Sequence, residues 1–297
     1  MKKNQKVFCY FHNDDLDGWA SSAVVLKKYP NAEFCGYNYE EKLPKLNLVQ
    51  GYDIVFMVDC SCSIAEMNFL DTYNKKFIWI DHHAKKIWEI LKKIKPDGLL
   101  DEKNKHSACV LTWKYLYPKK RIPLVLRYIE DVDLWKFELP HSNEINMTLN
   151  IETKENRGNL ASMLTWMTSW VEVFLRNGLI YSRMQRDQID FLLKTMKVIN
   201  FHGYKTGVVN SPLHTSFVGH RILEKNPQIQ VALIWYCYGD DILCSLRSRG
   251  NISVADIASK YGGGGHKPAS GFRIKKDVIK GILEGETNEQ KTITNRI

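Results

Sequence analysis

Four stretches of this 297-residue chain concentrate the side chains best suited to chemistry. They supply His12, Asp14, Asp15 and Asp17, then Asp59, then Asp81, His82 and His83, then Asp131 and Asp133. If these meet in one cleft, the carboxylates repel, because a nearby like charge disfavours ionisation. Bound divalent cations remove that conflict. Oxygen-rich sites with one or two imidazoles suit Mn²⁺ or Mg²⁺, whereas zinc favours tetrahedral nitrogen and sulfur sets. A paired site holds its ions about 3.5–4 Å apart and clamps the attacking and leaving oxygens of a phosphoryl displacement. Taken singly, Asp-x-Asp is commonly turn chemistry and His-His is often incidental. The argument therefore rests on what brings the four stretches together.

The elements that must do so are visible as apolar runs. Val7–Phe11, Ile54–Val58 and Phe77–Ile80 are short and rich in β-branched or aromatic residues, so each predicts a buried strand. Ala20–Tyr29, stopped by Pro30, and Ser63–Tyr73 carry helical patterns. Alternating strand and helix predicts a parallel sheet with helices on its faces. Each strand runs directly into acids, and ligands in open α/β sheets bind beyond the carboxyl ends of the strands. Three strands delivering acids to one edge make a shared metal site the better reading.

Residues 157–201 are mostly helical in pattern, with a break predicted near Asn177–Gly178. Beyond them GVVN reads as a strand, Pro212–Lys225 as a helix, and VALIWYCY with ILCSLRS as a hairpin around Gly239-Asp240-Asp241. Ser253–Tyr261 reads as a short amphipathic helix opened by a capping box. Gly262–Gly265 then precede His266. Glycines let backbone N–H groups approach an anion, and the plainer alternative is a helix C-cap followed by a loop. His266, with SLRSRG at 245–250 upstream, favours phosphate or nucleotide binding, Arg offering a planar fork.

Composition bounds the rest. Apolar residues make up 44% and charged residues 25%, which excludes disorder and low complexity as descriptions of the whole. A net charge of +9 suggests an anionic partner without choosing one. Seven scattered cysteines make a poor disulfide framework, so buried thiols are expected. The N-terminus turns acidic too early for a secretory signal, and no long apolar run exists, which predicts a soluble, cytoplasmic protein. Trp113, Trp135, Trp166 and Trp170 are expected to serve packing, and Lys85-Lys86 and Lys92-Lys93 to be solvated helix faces. His106 carries little weight as a site residue.

HNDDLDG at 12–18, VDCS at 58–61, DHH at 81–83 and EDVD at 130–133 resemble, in order, the four motifs of the DHH phosphoesterases. GGGGHKPASG at 262–271 resembles the motif of their companion DHHA1 domain. The resemblance spans about residues 7–273. It implies an α/β fold: a parallel-sheet catalytic domain (1–185), a helical linker (186–204) and a smaller α/β substrate-binding domain (205–297), with the active site in the interdomain cleft. It implies two Mn²⁺, with Mg²⁺ as the alternative. His12 and Asp15 would hold one ion and Asp17, His82 and Asp131 the other, with Asp59 bridging. Asp14 competes with His12, and Asp133 with Asp131, which is preferred. His83 would contact the phosphate and protonate the leaving oxygen, and Asp81 would orient the histidines. Arg247, Ser248, Gly263, Gly264, Gly265 and His266 would bind substrate.

The implied activity is hydrolysis of short oligonucleotides or small dinucleotides to mononucleotides, with a homodimer as a compatible assembly and no membrane partner. Cyclic-dinucleotide or phosphoadenosine phosphate hydrolysis is the alternative within enzymes. A non-catalytic nucleotide- or RNA-binding module is the alternative outside them.

Overall fold

A computed structural model of the chain describes residues 5–38, 42–83, 90, 94–155 and 160–284. The lysine pairs at 85–86 and 92–93 lie outside the described residues. Contacts divide the chain into two compact units, Met1–Ser182 and Arg183–Ile297.

The first unit is built on a five-stranded sheet of order β2-β1-β3-β4-β5. The strands are β1 (Val7–His12), β2 (Glu33–Tyr37), β3 (Ile54–Val58), β4 (Phe77–Asp81) and β5 (Asp97–Leu100), and every pairing is parallel. The three strands expected from apolar runs are present. Side chains alternate between two cores: Cys9, Phe56 and Ile80 enter one, and Tyr10, Met57 and Trp79 the other. Burial on both faces is why these strands read as continuous apolar runs. β2 and β5 are the edges and are only partly buried, and Gly36 and Gly98 interrupt them, so neither announces itself. Gly98 is required, because at its φ of +146° a Cβ would stand 1.8 Å from the Trp79 carbonyl oxygen.

Helix α1 (Leu16–Lys28) starts directly after the first acidic stretch, and α2 (Ile64–Tyr73) opens with a complete Ser63/Glu66 capping box. Helices α3 (Ala108–Leu116), α4 (Leu124–Asp133), α5 (Ser142–Glu155), α6 (Leu160–Trp166) and α7 (Glu172–Leu193) follow. The break expected at Asn177–Gly178 does not occur, and α7 runs through both residues. Gly178 is there for contact: a Cβ would lie 2.0 Å from the Glu144 carbonyl oxygen of α5. The expected helical linker is also corrected. Residues 186–193 continue α7, but Lys197–Phe201 form an edge strand, β6.

The second unit carries a six-stranded mixed sheet of order β10-β11-β9-β8-β7-β6. The remaining strands are β7 (Tyr204–Asn210), β8 (Val231–Tyr238), β9 (Asp241–Ser248), β10 (Gly264–His266) and β11 (Ala269–Lys275). Only β7 and β8 pair in parallel, and α8 (Thr215–Lys225) is their crossover. The short α9 (Val254–Ser259) and α10 (Lys276–Leu283) pack on the other face through Val254, Ile257 and Ile282. The seven cysteines are all free. Four are buried, and Cys237 is exposed. No helix among the described residues is long and apolar enough to cross a membrane.

Candidate metal centre

The sheet order reverses between β1 and β3, and a crevice opens at the carboxyl ends of strands at such a switch point. His12 ends β1, Asp59 follows β3 and Asp81 ends β4. Asp15 is the N-cap of α1, accepting the Gly18 amide at 2.9 Å and His12 Nδ1 at 2.5 Å. Gly18 is fixed by proximity, since a Cβ there would sit 2.1 Å from the His12 carbonyl oxygen. The tight strand-to-helix turn therefore aims His12, Asp15 and Asp17 together.

Asp17 is buried, and its carboxylate accepts the amides of Ala108 at 2.7 Å and Cys109 at 3.0 Å. It caps α3, whose own Ser107 makes no capping bond, so this side chain ties the first turn of α3 to the centre. Asp59 is buried with φ of +58°, a left-handed backbone that is uncommon for a residue with a Cβ. Its oxygens lie 3.6 Å from His12 Nδ1, 3.4 Å from His82 Nε2 and 3.9 Å from His83 Nδ1.

Three overlapping groups could each hold a metal ion: His12, Asp15 and Asp59; Asp59, His82 and His83; Asp17, His82 and Asp133. Asp59 and His82 are the shared members. Nε2 of His82 is buried without a well-formed hydrogen bond among the described residues. Around it stand oxygens of Asp59 at 3.4 Å, Asp133 at 3.6 Å and Asp17 at 3.8 Å. An imidazole nitrogen facing three carboxylates is a donor set that fits a divalent cation.

The electrostatics agree. Burial, with the charges of Asp15 and Asp17, pushes the Asp59 carboxyl well above its usual range. Burial and the charge of Asp17 raise Asp133 likewise. Burial opposes charge on His12, but its bonds to Asp15 and Asp59 lift it to about 10. Burial also opposes charge on His82, yet Asp59, Asp17 and Asp133 lift it to about 11. The carboxylates thus draw protons onto the imidazoles where a cation would otherwise sit.

The sequence-derived assignments divide. His12 belongs to the cluster, whereas Asp14 is exposed and lies in none of its groups. Asp131 does not belong. Its buried carboxylate accepts the amides of Glu138 at 3.0 Å and Leu139 at 3.1 Å, and Asp133 takes its place beside His82. Asp81 orients the ring of His83 and not that of His82. Its Oδ1 accepts His83 Nδ1–H at 2.7 Å and the amides of His82 at 2.7 Å and His83 at 3.2 Å. Burial works against that charge, but His83 holds the Asp81 carboxyl below the usual range.

The His82 ring is oriented by Asn104, whose Oδ1 accepts Nδ1–H at 2.6 Å and leaves Nε2 for a ligand. Asn104 has φ of +51° in a turn made by Asp101, which accepts the amides of Lys103, Lys105 and His106. Nothing in the local sequence marks this residue. Asn104→Ala is expected to weaken divalent-cation binding by about 10–100-fold, read by titration calorimetry. Excess cation should restore full occupancy; failure of that rescue would mean the residue serves the fold instead. His106 is engaged by Glu130 at 3.1 Å and Lys114 at 2.7 Å.

In the second unit the glycines follow packing. Gly262 ends α9 with φ of +75°, the C-cap geometry. Gly264–His266 form β10, and a Cβ at Gly263 would stand 2.2 Å from the Gly271 carbonyl oxygen. Ala269 pairs with both Arg247 and His266, so those two side chains share one sheet face. Gly264 lies open, with nothing near its Cβ position, and Gly265 has φ of +140° against Ser270. Arg247 donates to Ser216 Oγ at 2.6 Å and the Leu246 carbonyl at 2.8 Å. Ser248 lies on the opposite face, its hydroxyl spent on the Ile252 carbonyl at 2.7 Å.

A family model described as the DHH family, N-terminal domain, matches residues 6–131, and the DHHA1 domain model matches residues 215–288. The chain belongs to the DHH phosphoesterase family. Its parallel-sheet first unit is the DHH domain, and the smaller mixed-sheet unit is the DHHA1 domain. Uncharacterized protein R106 of Acanthamoeba polyphaga mimivirus is 30% identical over 78% of the chain, which spans 55% of that relative's length. Oligoribonuclease NrnB of Bacillus subtilis is 25% identical over 91% of the chain and 73% of its own. The structure of RecJ in complex with Mn²⁺ from Thermus thermophilus shares the fold. It has a TM-score of 0.56 at 16% identity, covering 95% of this chain and 51% of that one.

Proposed function

We propose that the protein is a metal-dependent phosphodiesterase that cleaves short oligoribonucleotides to mononucleotides. The observation that carries this reading is the convergence of His12, Asp15, Asp17, Asp59, His82 and Asp133 at the switch-point edge of a DHH sheet. Likeness to an oligoribonuclease supports the substrate class, and the manganese complex of RecJ supports Mn²⁺, with Mg²⁺ as the alternative.

In this reading His12, Asp15 and Asp59 would hold one ion and Asp17, His82 and Asp133 the other, with an Asp59 oxygen also 3.4 Å from His82 Nε2. When bound, the ions supply charge that polarises the phosphoryl group and makes water more acidic. The protein groups do the rest. Asp59 and the α1 turn fix the donor set before substrate arrives. Asp81 binds His83 Nδ1–H, which leaves Nε2 to carry the proton given to the leaving oxygen. Asp81, held below the usual carboxylate range, keeps its oxygen as the acceptor that fixes this ring orientation. Arg247 and His266, on one face of the DHHA1 sheet, grip phosphate and base, and Gly264 keeps the ground near His266 clear.

The deciding assay uses the purified full chain with Mn²⁺. It compares two- to five-nucleotide RNA and DNA, longer strands, cyclic dinucleotides, phosphoadenosine phosphate and pyrophosphate. Release of mononucleotides should be fastest from the short RNAs. Tight binding without hydrolysis of any of them would instead mean a binding module.

A further inference from the structure

Away from the metal centre, the first unit holds a cavity of about 440 Å³, a size typical of small-molecule sites. Lys27, Lys120, Arg121 and Arg127 line it, and no lining residue is acidic. All four are exposed, and none is in an ion pair among the described residues. The sequence concentrates this charge: residues 103–129 carry seven lysines and arginines and no aspartate or glutamate. Cations crowded around a concavity repel one another and focus a positive potential into it, which a bound anion relieves.

The walls of the cavity are held in place. Trp113 donates Nε1–H to the Lys120 carbonyl at 3.3 Å, and the Lys120 amide donates to the Tyr117 carbonyl at 2.9 Å. The turn that carries Lys120 and Arg121 is thereby pinned to the end of α3. Trp113 and Trp166 are buried, as expected of packing residues, whereas Trp135 and Trp170 are exposed. Pro123 is the N-cap of α4 and offers no side-chain acceptor. The first amides and the positive end of that helix therefore stand at the cavity wall, beside Leu124. Ile122, Leu124 and Met167 add apolar surface. Helices α1, α3 and α4 meet the donor set through Asp17, Ala108 and Asp133, and the cavity through Lys27, Trp113 and Leu124. The ten residues of α1 between Asp17 and Lys27 rise about 15 Å, so the two sites are distinct.

We propose that this cavity is a second ligand site, which binds a nucleoside polyphosphate with its phosphates on the four cations and its base on the apolar wall. Arginine forks pair with phosphate oxygens in two parallel bonds, and lysine adds point charge. Four cations and a helix N-terminus match several phosphate charges, and the apolar wall matches the part of a nucleotide that carries none. The site stands independently of the phosphodiesterase reading.

The test titrates ATP, adenosine and inorganic tripolyphosphate into the full chain in EDTA, read by calorimetry. Without metal, the carboxylates of the metal centre repel anions and do not compete. ATP should bind more tightly than either fragment. Arg121→Gln and Arg127→Gln should each weaken ATP binding by about tenfold or more, while melting temperature and Mn²⁺ uptake stay at wild-type values. Arg247→Gln should leave this binding unchanged, which separates the cavity from the DHHA1 face. No ATP binding, binding that both cavity variants retain, or tripolyphosphate binding as tight as that of ATP overturns the proposal. No turnover is read, so each of these results leaves the phosphodiesterase reading standing.

Discussion

Asp59→Asn should remove nearly all turnover yet leave the metal-free protein melting no lower than wild type. Asp59 belongs to the group with His12 and Asp15 and to the group with His82 and His83. Losing it should cost more metal affinity than the about 10–100-fold that follows loss of a ligand's supporting partner. In the metal-free protein the same carboxylate is a burden, buried beside Asp15 and Asp17 and pushed towards its neutral form. Asparagine removes that charge and tolerates the left-handed backbone at this position. The variant would therefore separate function from stability, the trade expected where a site stores unfavourable charge.

Protons complete the argument. His12 and His82, held to about 10 and about 11, must shed protons to become ligands. Metal binding therefore releases protons, and apparent affinity should climb as pH rises from 6 to 8. The stability these histidines give the metal-free protein has the opposite sense. It is full below their ordinary 6.5 and fades as pH rises through about 10 to 11. Calorimetry in EDTA and with Mn²⁺ across that range checks both, and an Asp59→Asn protein that binds Mn²⁺ and turns over like wild type would sink the assignment.

What the sequence reveals follows from where each signal is stored. β1, β3 and β4 are buried on both faces, so their apolar runs are unbroken, and each acid-bearing strand end could be placed from them. β2 and β5 are half-exposed edges broken by Gly36 and Gly98, and no apolar run marks them. Gly178 looks like a helix break because its purpose, room for the Glu144 carbonyl, lies in a different helix. Asn104 is invisible for the same reason: the ring it orients is 22 residues away in the chain. Gly263 and Gly265 suggest anion binding by type, yet each is already required by close strand packing. Local chemistry is written locally, whereas a contact partner is not.

Asp131 and Asp133 show this limit and supply the sharpest contrast in expected results. Both lie on α4, and residues two apart on a helix point roughly 200° away from each other. Only one of them can therefore face the centre, and spacing cannot say which. Packing decides: Asp133 faces His82, while Asp131 turns to the chain that follows it. Asp133→Ala should leave the melting temperature nearly unchanged and weaken Mn²⁺ binding, because it removes an oxygen from the edge of the donor set. Asp131→Ala should leave the donor set intact but strand the amides of Glu138 and Leu139, costing about 1–3 kcal/mol of stability. Asp131→Asn should recover part of that loss, since an amide oxygen can still accept one of the two bonds. Thermal melts beside Mn²⁺ titrations of the three variants separate the roles. Metal loss in Asp131→Ala at wild-type stability, with Asp133→Ala still binding normally, would exchange the two assignments and return the ligand to the residue the sequence favours.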